Sequence, residues 1–191
     1  EVANSCRFDY GTDPRFARTS DTPTNADKYS LSVWIKRDQP TTVAQDYAYI
    51  MSFDTGSTLR EHIRFSTGGA NDQLTWYFRD SGSTATSLTT NQVFRDFSAW
   101  YHFLFVYDSA QVTSSNRQKI YVNGVQITSF SSSGYVAQNT DSNLNNGSNN
   151  PKIGCLGNAA GTTSNYSGYM AEMVFCDGQT YSPTDFREFV E

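Results

Sequence analysis

Lys119-Ile-Tyr-Val-Asn-Gly-Val-Gln-Ile127 holds an Asn-Gly pair between two β-branched runs. That is the preferred sequence of a two-residue type I′ hairpin turn, because both central positions need positive φ. Asn123 is therefore a turn residue first, and the turn fixes the register of the strands on either side. Just upstream, Trp100-Tyr-His-Phe-Leu-Phe-Val-Tyr107 is apolar at both parities, with Tyr101, Phe103, Phe105 and Tyr107 on one face and Leu104 and Val106 on the other. Side chains alternate along a strand, so this segment reads as a central strand covered on both sides. His102 in its middle reads as a hydrogen-bonded core histidine.

The same alternation runs outward from this point. Tyr29-Ser-Leu-Ser-Val-Trp-Ile-Lys36 puts Leu31, Val33 and Ile35 on one face and Trp34 on the other, and a further strand follows from Tyr47 to Phe53. Trp34 and Trp100, flanked by apolar residues, read as core and not as sugar platforms. Glu61-His-Ile-Arg-Phe-Ser66 turns Ile63 and Phe65 inward and His62 and Arg64 outward, and Gln73-Leu-Thr-Trp-Tyr-Phe-Arg79 turns Leu74, Trp76 and Phe78 inward and Thr75, Tyr77 and Arg79 outward. The Gly-containing loop Thr67 to Asp72 joins them as an antiparallel hairpin. Ser131 to Asn150 is almost all Ser, Asn, Gly and Gln, with Tyr135, Val136 and Leu144 as its apolar exceptions; it reads as a long surface excursion, and such loops are often functional. Tyr169 to Cys176 is the last strand. Ser182-Pro-Thr-Asp185 then matches an N-cap, a proline at the first helical position and an acid three residues on, which predicts a short C-terminal helix from Pro183 to about Phe189. Helical periodicity is otherwise nearly absent. The fold class is all-β, an antiparallel two-sheet sandwich, in one domain over residues 1–191.

Composition excludes several functions. With 14 Lys+Arg against 19 Asp+Glu the net charge is −5, which argues against nucleic acid, whose phosphates need clustered cations. No apolar run approaches the roughly 18–20 residues of a membrane span, so membrane insertion is excluded too. The 15 % aromatic content argues against disorder. The chain begins at Glu1 without a methionine or a charged-then-apolar leader, which reads as a piece excised from something longer. Cys6, Cys155 and Cys176 are too few and too scattered for a disulfide framework or a zinc knuckle; small apolar packing is the first reading, and a Cys6–Cys176 bridge stapling the first strand to the last is the alternative. Sequons stand at Asn146-Gly-Ser and Asn165-Tyr-Ser.

The order of these elements resembles the laminin-G-like branch of the concanavalin A-like lectin/glucanase superfold. The residues that carry it are Tyr29 to Lys36, Trp100 to Asp108 followed by Lys119 to Gly124, and Lys152-Ile-Gly154 leading to Tyr166-Ser-Gly-Tyr-Met-Ala-Glu-Met-Val-Phe175. Arg18-Thr-Ser, Lys36-Arg37, Val93-Phe-Arg-Asp96 and Asp177 to Phe186 are more narrowly similar to versions found in fibre and other virion structural proteins of marine bacteriophages. The resemblance implies a jelly roll of two packed sheets, one gently concave, on a virion surface or otherwise extracellular. As partners it implies a glycan or host surface receptor and other virion proteins, with a homotrimer formed, if at all, through flanking regions.

Catalysis is not expected. A retaining glycosidase needs carboxylates roughly 5–5.5 Å apart, and the glucanase acid cluster is missing where the resemblance would put it: around Glu172, positions 170, 174 and 176 are Met, Val and Cys. Glu172 then reads as a satisfied structural carboxylate. His62 and His102 lie in no recognised Ser or Cys context. Relatives of the superfold often bind calcium at a rim, and Asp54, Asp80 and Asp108 are the candidate ligands, but calcium takes about 6–8 oxygens and the spacing is that of turn-stabilising aspartates; no metal is assigned. The binding candidates are His62, Arg64, Tyr77 and Arg79, brought to one outward face if their strands pair, together with Tyr135 of the long loop. Guanidinium forks hold carboxylates and sulfates, and tyrosine stacks on sugar faces. The bland alternative is a solvated polar face paired locally with Glu61 or Asp80. Two function classes follow: a carbohydrate- or receptor-binding module of a virion, or a purely structural assembly module. A secreted cellular adhesion domain is a third.

Overall fold

A computed structural model describes residues 4–9, 14–17, 21–38, 47–56, 58–66, 72–82, 85–157 and 165–186. Asn123 and Gly124 both take positive φ, 51° and 83°, so the expected turn joins β9 (Gln118–Val122) to β10 (Val125–Gln126), with Val125 opposite Val122. On the other side of β9 lies β8 (Tyr101–Asp108), then β3 (Lys28–Arg37), β13 (Gly168–Asp177) and β1 (Cys6–Phe8), giving a six-stranded antiparallel sheet in the order β1-β13-β3-β8-β9-β10. The second, seven-stranded sheet runs β11-β7-β6-β5-β4-β12-β2, formed by β2 (Phe16–Ala17), β4 (Tyr47–Asp54), β5 (Arg60–Ser66), β6 (Gln73–Arg79), β7 (Ala85–Val93), β11 (Phe130–Ser133) and β12 (Lys152–Ile153).

The inward residues of the two sheets meet in one core. Leu31, Val33, Ile35, Phe103, Phe105 and Ile120 face Ile63, Phe65, Leu74, Trp76 and Leu88, all fully buried. Aromatic edges knit the layers: Trp76 stands 5.7 Å from Phe105 at 88°, and Phe65 lies 6.0 Å from Phe103. Such pairs add about 0.5–1.5 kcal/mol beyond the area they bury. The central strand is covered on both faces as its pattern requires, because residues 178–186 cross the outer side of the six-stranded sheet. Tyr181 N donates to Ser30 Oγ and Ser30 Oγ to Gln179 O, and beneath this segment Leu104 and Val106 are buried. His102 is buried there, its Nε2 2.8 Å from Ser32 Oγ.

The buried carboxylate at the centre of the sandwich is Glu61, fully enclosed. Its Oε1 accepts from Tyr29 Oη (2.7 Å) in the opposite sheet and Trp76 Nε1 (3.0 Å), and its Oε2 from Ser142 Oγ (2.8 Å), Asn143 N (2.8 Å) and Leu144 N (3.1 Å). Five donors from three distant segments thus compensate a charge that burial alone would make very costly. The 131–150 stretch is consequently no free surface excursion: its start pairs with β7 as β11, and Ser142 to Asn145 are buried. A second buried cluster closes the other end of β3, where Arg37 lies 2.7 Å from Asp72 and donates to Phe94 O at 2.8 Å.

Other expectations are corrected. Trp34 and Trp100 are half-buried rather than core; Trp34 sits on the outer face against His102, 5.1 Å between ring centroids, because the apolar interior is filled by the opposite parity of β3. Glu172 is exposed, at φ +50° in a bulge where β13 shifts register between Ala171 and Val174; the extra residue turns it out of the sheet's alternation. Cys6 pairs with Met170, not with Cys176, and all three thiols are free, Cys155 being buried. Ser182 N donates to Asp185 Oδ2 as the motif predicts, but Ser182 Oγ donates to the same carboxylate and Asp185 N bonds to the Ser182 carbonyl, so the expected side-chain N-cap is not made, and Pro183–Phe186 is a single 3-10 turn. The rest of that expected helix, residues 67–71 of the hairpin loop and Arg18-Thr-Ser lie outside the described residues. Asn165 is 1 % exposed, which leaves its sequon inaccessible in the folded chain. Among the described residues no helix is long and apolar enough to cross a membrane.

Candidate functional site

Strands β4, β5 and β6 pair antiparallel, and their outward side chains share one face. Arg60 lies opposite Arg79, His62 opposite Tyr77, and Arg64 opposite Thr75; across the other edge Asp54 faces Arg60, Ser52 faces His62, and Tyr49 faces Arg64. The alternation that points Ile63 and Phe65 inward therefore points His62 and Arg64 here. A register shift in β4 between Tyr49 and Met51 resets its parity, so Tyr47 and Tyr49 on one side of the bulge and Ser52 and Asp54 on the other all face outward.

These side chains line a cleft of about 460 Å³ formed by Tyr47, Tyr49, Asp54, Arg60, His62, Arg64 and Tyr77, with Leu156 on one wall. The Leu156 wall is held against β4 because Ser52 Oγ donates to Cys155 O at 2.7 Å. Gly157 follows it so closely that a Cβ there would stand 2.6 Å from Asp54 N. Three tyrosines cage Arg64: its guanidinium carbon lies 3.6 Å from the Tyr47 ring centroid, 5.6 Å from Tyr49 and 5.5 Å from Tyr77. Arg64 Nη1 donates to Tyr49 Oη at 3.1 Å and stands 3.4 Å from His62 Nδ1. His62 stacks on Tyr77, 5.6 Å apart and 27° inclined. On its far side His62 Nε2 is 3.2 Å from Asp54 Oδ2, and Arg60 Nε is 3.3 Å from Asp54 Oδ1.

The electrostatics follow from this order. Burial pushes the His62 imidazole down, Arg64 and Arg60 push it further, and Asp54 opposes them only in part, which favours the neutral ring; the tautomer assigned to it, with the proton on Nε2 on the Asp54 side, leaves Nδ1 to accept from Arg64. Burial alone would raise the Asp54 carboxyl, but the bonds from His62 and the Gly56 N–H, with Arg60 beside them, hold it below the usual range. Burial raises the Tyr49 hydroxyl, against Arg64, so it stays a protonated phenol.

His62, Arg64 and Tyr77 are thus brought together. His62 is buried at 2 % exposure instead of solvated, because Tyr49 and Tyr77 flank its ring. Arg79 shares the face but does not line the cleft; its backbone carbonyl, with that of Arg60, accepts from Asn143 Nδ2. Tyr135 lies elsewhere, half-buried against the core. Sequence reasoning missed Tyr47, Tyr49 and Arg60, and had Asp54 only as a candidate calcium ligand. Of these Arg60 alone had a visible signal, continuing the even-numbered outward parity of His62 and Arg64. Of the proposed calcium ligands, Asp54 is engaged by Arg60 and His62, and Asp108 lies 3.7 Å from Lys28 Nζ and accepts from Gln111. Among the described residues no group of three or more His, Cys, Asp or Glu is arranged to hold a metal ion.

Fold and site together define a lectin-like jelly roll with an arginine–tyrosine cleft on the outer face of one sheet. Residues 11–180 match the family model described as the concanavalin A-like lectin/glucanases superfamily, and the chain belongs to that superfamily. A search of curated proteins gives no match. Among solved structures it is similar to the enzymatically active domain of tailspike protein 2 from bacteriophage CBA120 (TM-score 0.63, 13 % identity, 97 % of this chain and 26 % of that one). It is also similar to the CBM40 of the Ruminococcus gnavus IT-sialidase (TM-score 0.57, 10 % identity, 90 % and 95 %), a domain whose structures include one bound to α2,3-sialyllactose. A heptameric SAP-like pentraxin from Limulus polyphemus is a third (TM-score 0.51, 15 % identity, 86 % and 71 %). At these identities the likeness is one of fold.

Proposed function

We propose that this chain is a non-catalytic carbohydrate- or receptor-binding module displayed on a virion surface, and that it binds through the β4–β6 cleft. The observation that carries the reading is the cage itself: three tyrosine rings and a guanidinium grouped on one sheet face, in a cleft within the roughly 300–1,000 Å³ of small-ligand sites. Aromatic rings pack on the apolar faces of sugars while fixed polar groups read their hydroxyls, and tyrosine does this at low conformational cost. The sialyllactose-bound CBM40 supports a glycan ligand by fold analogy, and the tailspike supports a phage context in the same limited way. The non-catalytic reading is supported by the state of Asp54, the one carboxylate lining the cleft among the described residues, which is engaged by Arg60, His62 and Gly56.

The burial of Ser142 to Asn145 favours a second reading, a purely structural assembly module, since it removes much of the surface that the long loop would have offered to a ligand. A glycan array probed with the purified chain, beside Tyr47→Ala and Tyr77→Ala, tests the first. Binding to defined glycans that both variants lose supports it, whereas no binding by the wild type removes it. The virion placement is tested by peptide mass spectrometry of purified particles carrying the encoding gene, and by asking whether the free domain blocks their adsorption.

A further inference from the structure

Resting on that reading of the cleft, we infer that its ligand is an acidic sugar, recognised through one carboxylate or sulfate, and that Arg64 alone supplies the charge recognition. Three arginines and a histidine line the outer face, but the structure gives them unequal roles. Arg60 and His62 both point at Asp54, at 3.3 and 3.2 Å. Arg79 stands outside the cleft. Arg64 has no carboxylate within ion-pair distance among the described residues. Its contacts are a phenol, an imidazole nitrogen and three ring faces, all neutral; its Nε, like those of Arg60 and Arg79, is buried with no hydrogen-bond partner, so what sets Arg64 apart is its place inside the cleft without a carboxylate beside it.

A guanidinium in that setting is an unfinished interaction. Arg64 is half-buried, and covering part of a guanidinium is costly unless hydrogen bonds and an opposite charge replace the solvent it loses; here the rings supply the stacking without the counter-charge. Among the described residues of the cleft two guanidiniums, one carboxylate and a neutral imidazole leave a single positive charge, on a chain whose net charge is −5. One anionic group balances it. His62 is the spacer that makes this possible: it lies between Asp54 and Arg64, its Nε2 3.2 Å from one and its Nδ1 3.4 Å from the other, and so keeps the carboxylate from neutralising both arginines. The planar fork of arginine suits a carboxylate or a sulfate equally.

The test is isothermal titration with matched neutral and acidic probes. Lactose is compared with sialyllactose for a terminal carboxylate, fully methyl-esterified with free oligogalacturonate for an internal one, and desulfated with sulfated galactan oligomers for a sulfate. The inference expects at least one acidic probe to bind tenfold or more tightly than its neutral partner, with the preference shrinking as salt is raised. Arg64→Ala should bring the pair to within twofold of each other, while Arg79→Ala keeps the preference. Arg64→Lys, which retains the charge and the bulk, serves where the alanine variant fails to fold, and is expected to lose most of the preference with the fork. Equal binding of neutral and acidic probes by the wild type, with Tyr47→Ala abolishing both, overturns the acidic ligand and leaves the glycan site standing. Equal loss of preference in Arg79→Ala overturns the sole role of Arg64. Binding of no probe overturns the glycan reading along with it.

Discussion

The guanidinium carbon of Arg64 stands 3.6 Å from the ring centroid of Tyr47, across a strand boundary and with no carboxylate intervening. A half-buried stack of this kind contributes about 0.5–2 kcal/mol. Tyr47→Ala is therefore expected to lower the unfolding free energy by roughly that amount in a urea titration, and Tyr47→Phe, which keeps the ring, to leave it nearly unchanged. Equal loss in both variants would show that the hydroxyl and not the stack matters.

Glu61 is the residue whose loss should cost most. In Glu61→Gln one oxygen becomes an NH₂ group, which must face either Trp76 Nε1–H or the backbone N–H groups of Asn143 and Leu144. None of these can reverse to accept. An unsatisfied buried donor pair together with the lost charge-assisted bonds costs about 3 kcal/mol, which for a chain of this size lowers Tm by roughly 6–12 °C. A thermal scan showing a change under about 2 °C would remove Glu61 as the anchor of the 142–144 segment.

Acid should destabilise the chain through His62 and Asp54 in the cleft and through His102 on the other sheet. His62 and His102 are both held below the ordinary histidine value, each by burial first, so the unfolded chain takes up protons before the native one does. Stability is then full above the unfolded histidine value, near 6.5, and falls as pH drops from there toward the native-state values. Asp54, held low by its partners against burial, adds a loss below the unfolded aspartate value of about 3.9. Tm measured from pH 7 to 4 should fall more steeply in the wild type than in His62→Gln; identical slopes would rule out a contribution from His62.

Thiol reactivity should separate the three cysteines. Cys6 is exposed, Cys155 is buried, and Cys176 is half-buried with its thiol pushed up by burial, which lowers its thiolate fraction. Titration with a chromogenic disulfide should show one fast thiol, one slow and one that reacts only on unfolding. Two thiols missing from the denatured count would reveal a bridge that the fold described here does not contain.

Gly157→Ala tests the wall of the cleft. The added Cβ would meet the backbone of Phe53 and Asp54 at 3.0 and 2.6 Å, neither able to move freely inside a sheet, so the Leu156 wall must shift. A loss of about 1–3 kcal/mol is expected in chemical denaturation, and an unaffected variant would mean that residues 155–157 are not fixed against β4.

The alternation of side chains, the Asn123-Gly124 turn and the outward placing of His62, Arg64 and Tyr77 were all legible, because each depends on residues close in sequence. β7 was not, since Ala85 to Val93 carries one leucine among threonines and serines and its strand character comes from pairing with β6 and β11. Nor were Asp54 and Tyr49 legible as one cluster: strict period-two reading puts 49 and 54 on opposite faces, and the bulge between Tyr49 and Met51 returns them to the same one.

By itself, then, the sequence determined an all-β sandwich, its strongest hairpin and one half of an outward arginine–tyrosine face. Tertiary structure alone decided that Ser142 to Leu144 turn inward to a carboxylate more than eighty positions earlier. It alone decided that Asp54 claims Arg60 and His62 while Arg64 keeps its charge. The physical reason is range: a pleat repeats every two residues and needs no partner, whereas the neutralisation of a buried charge depends on which distant groups the folded chain brings within about 3 Å.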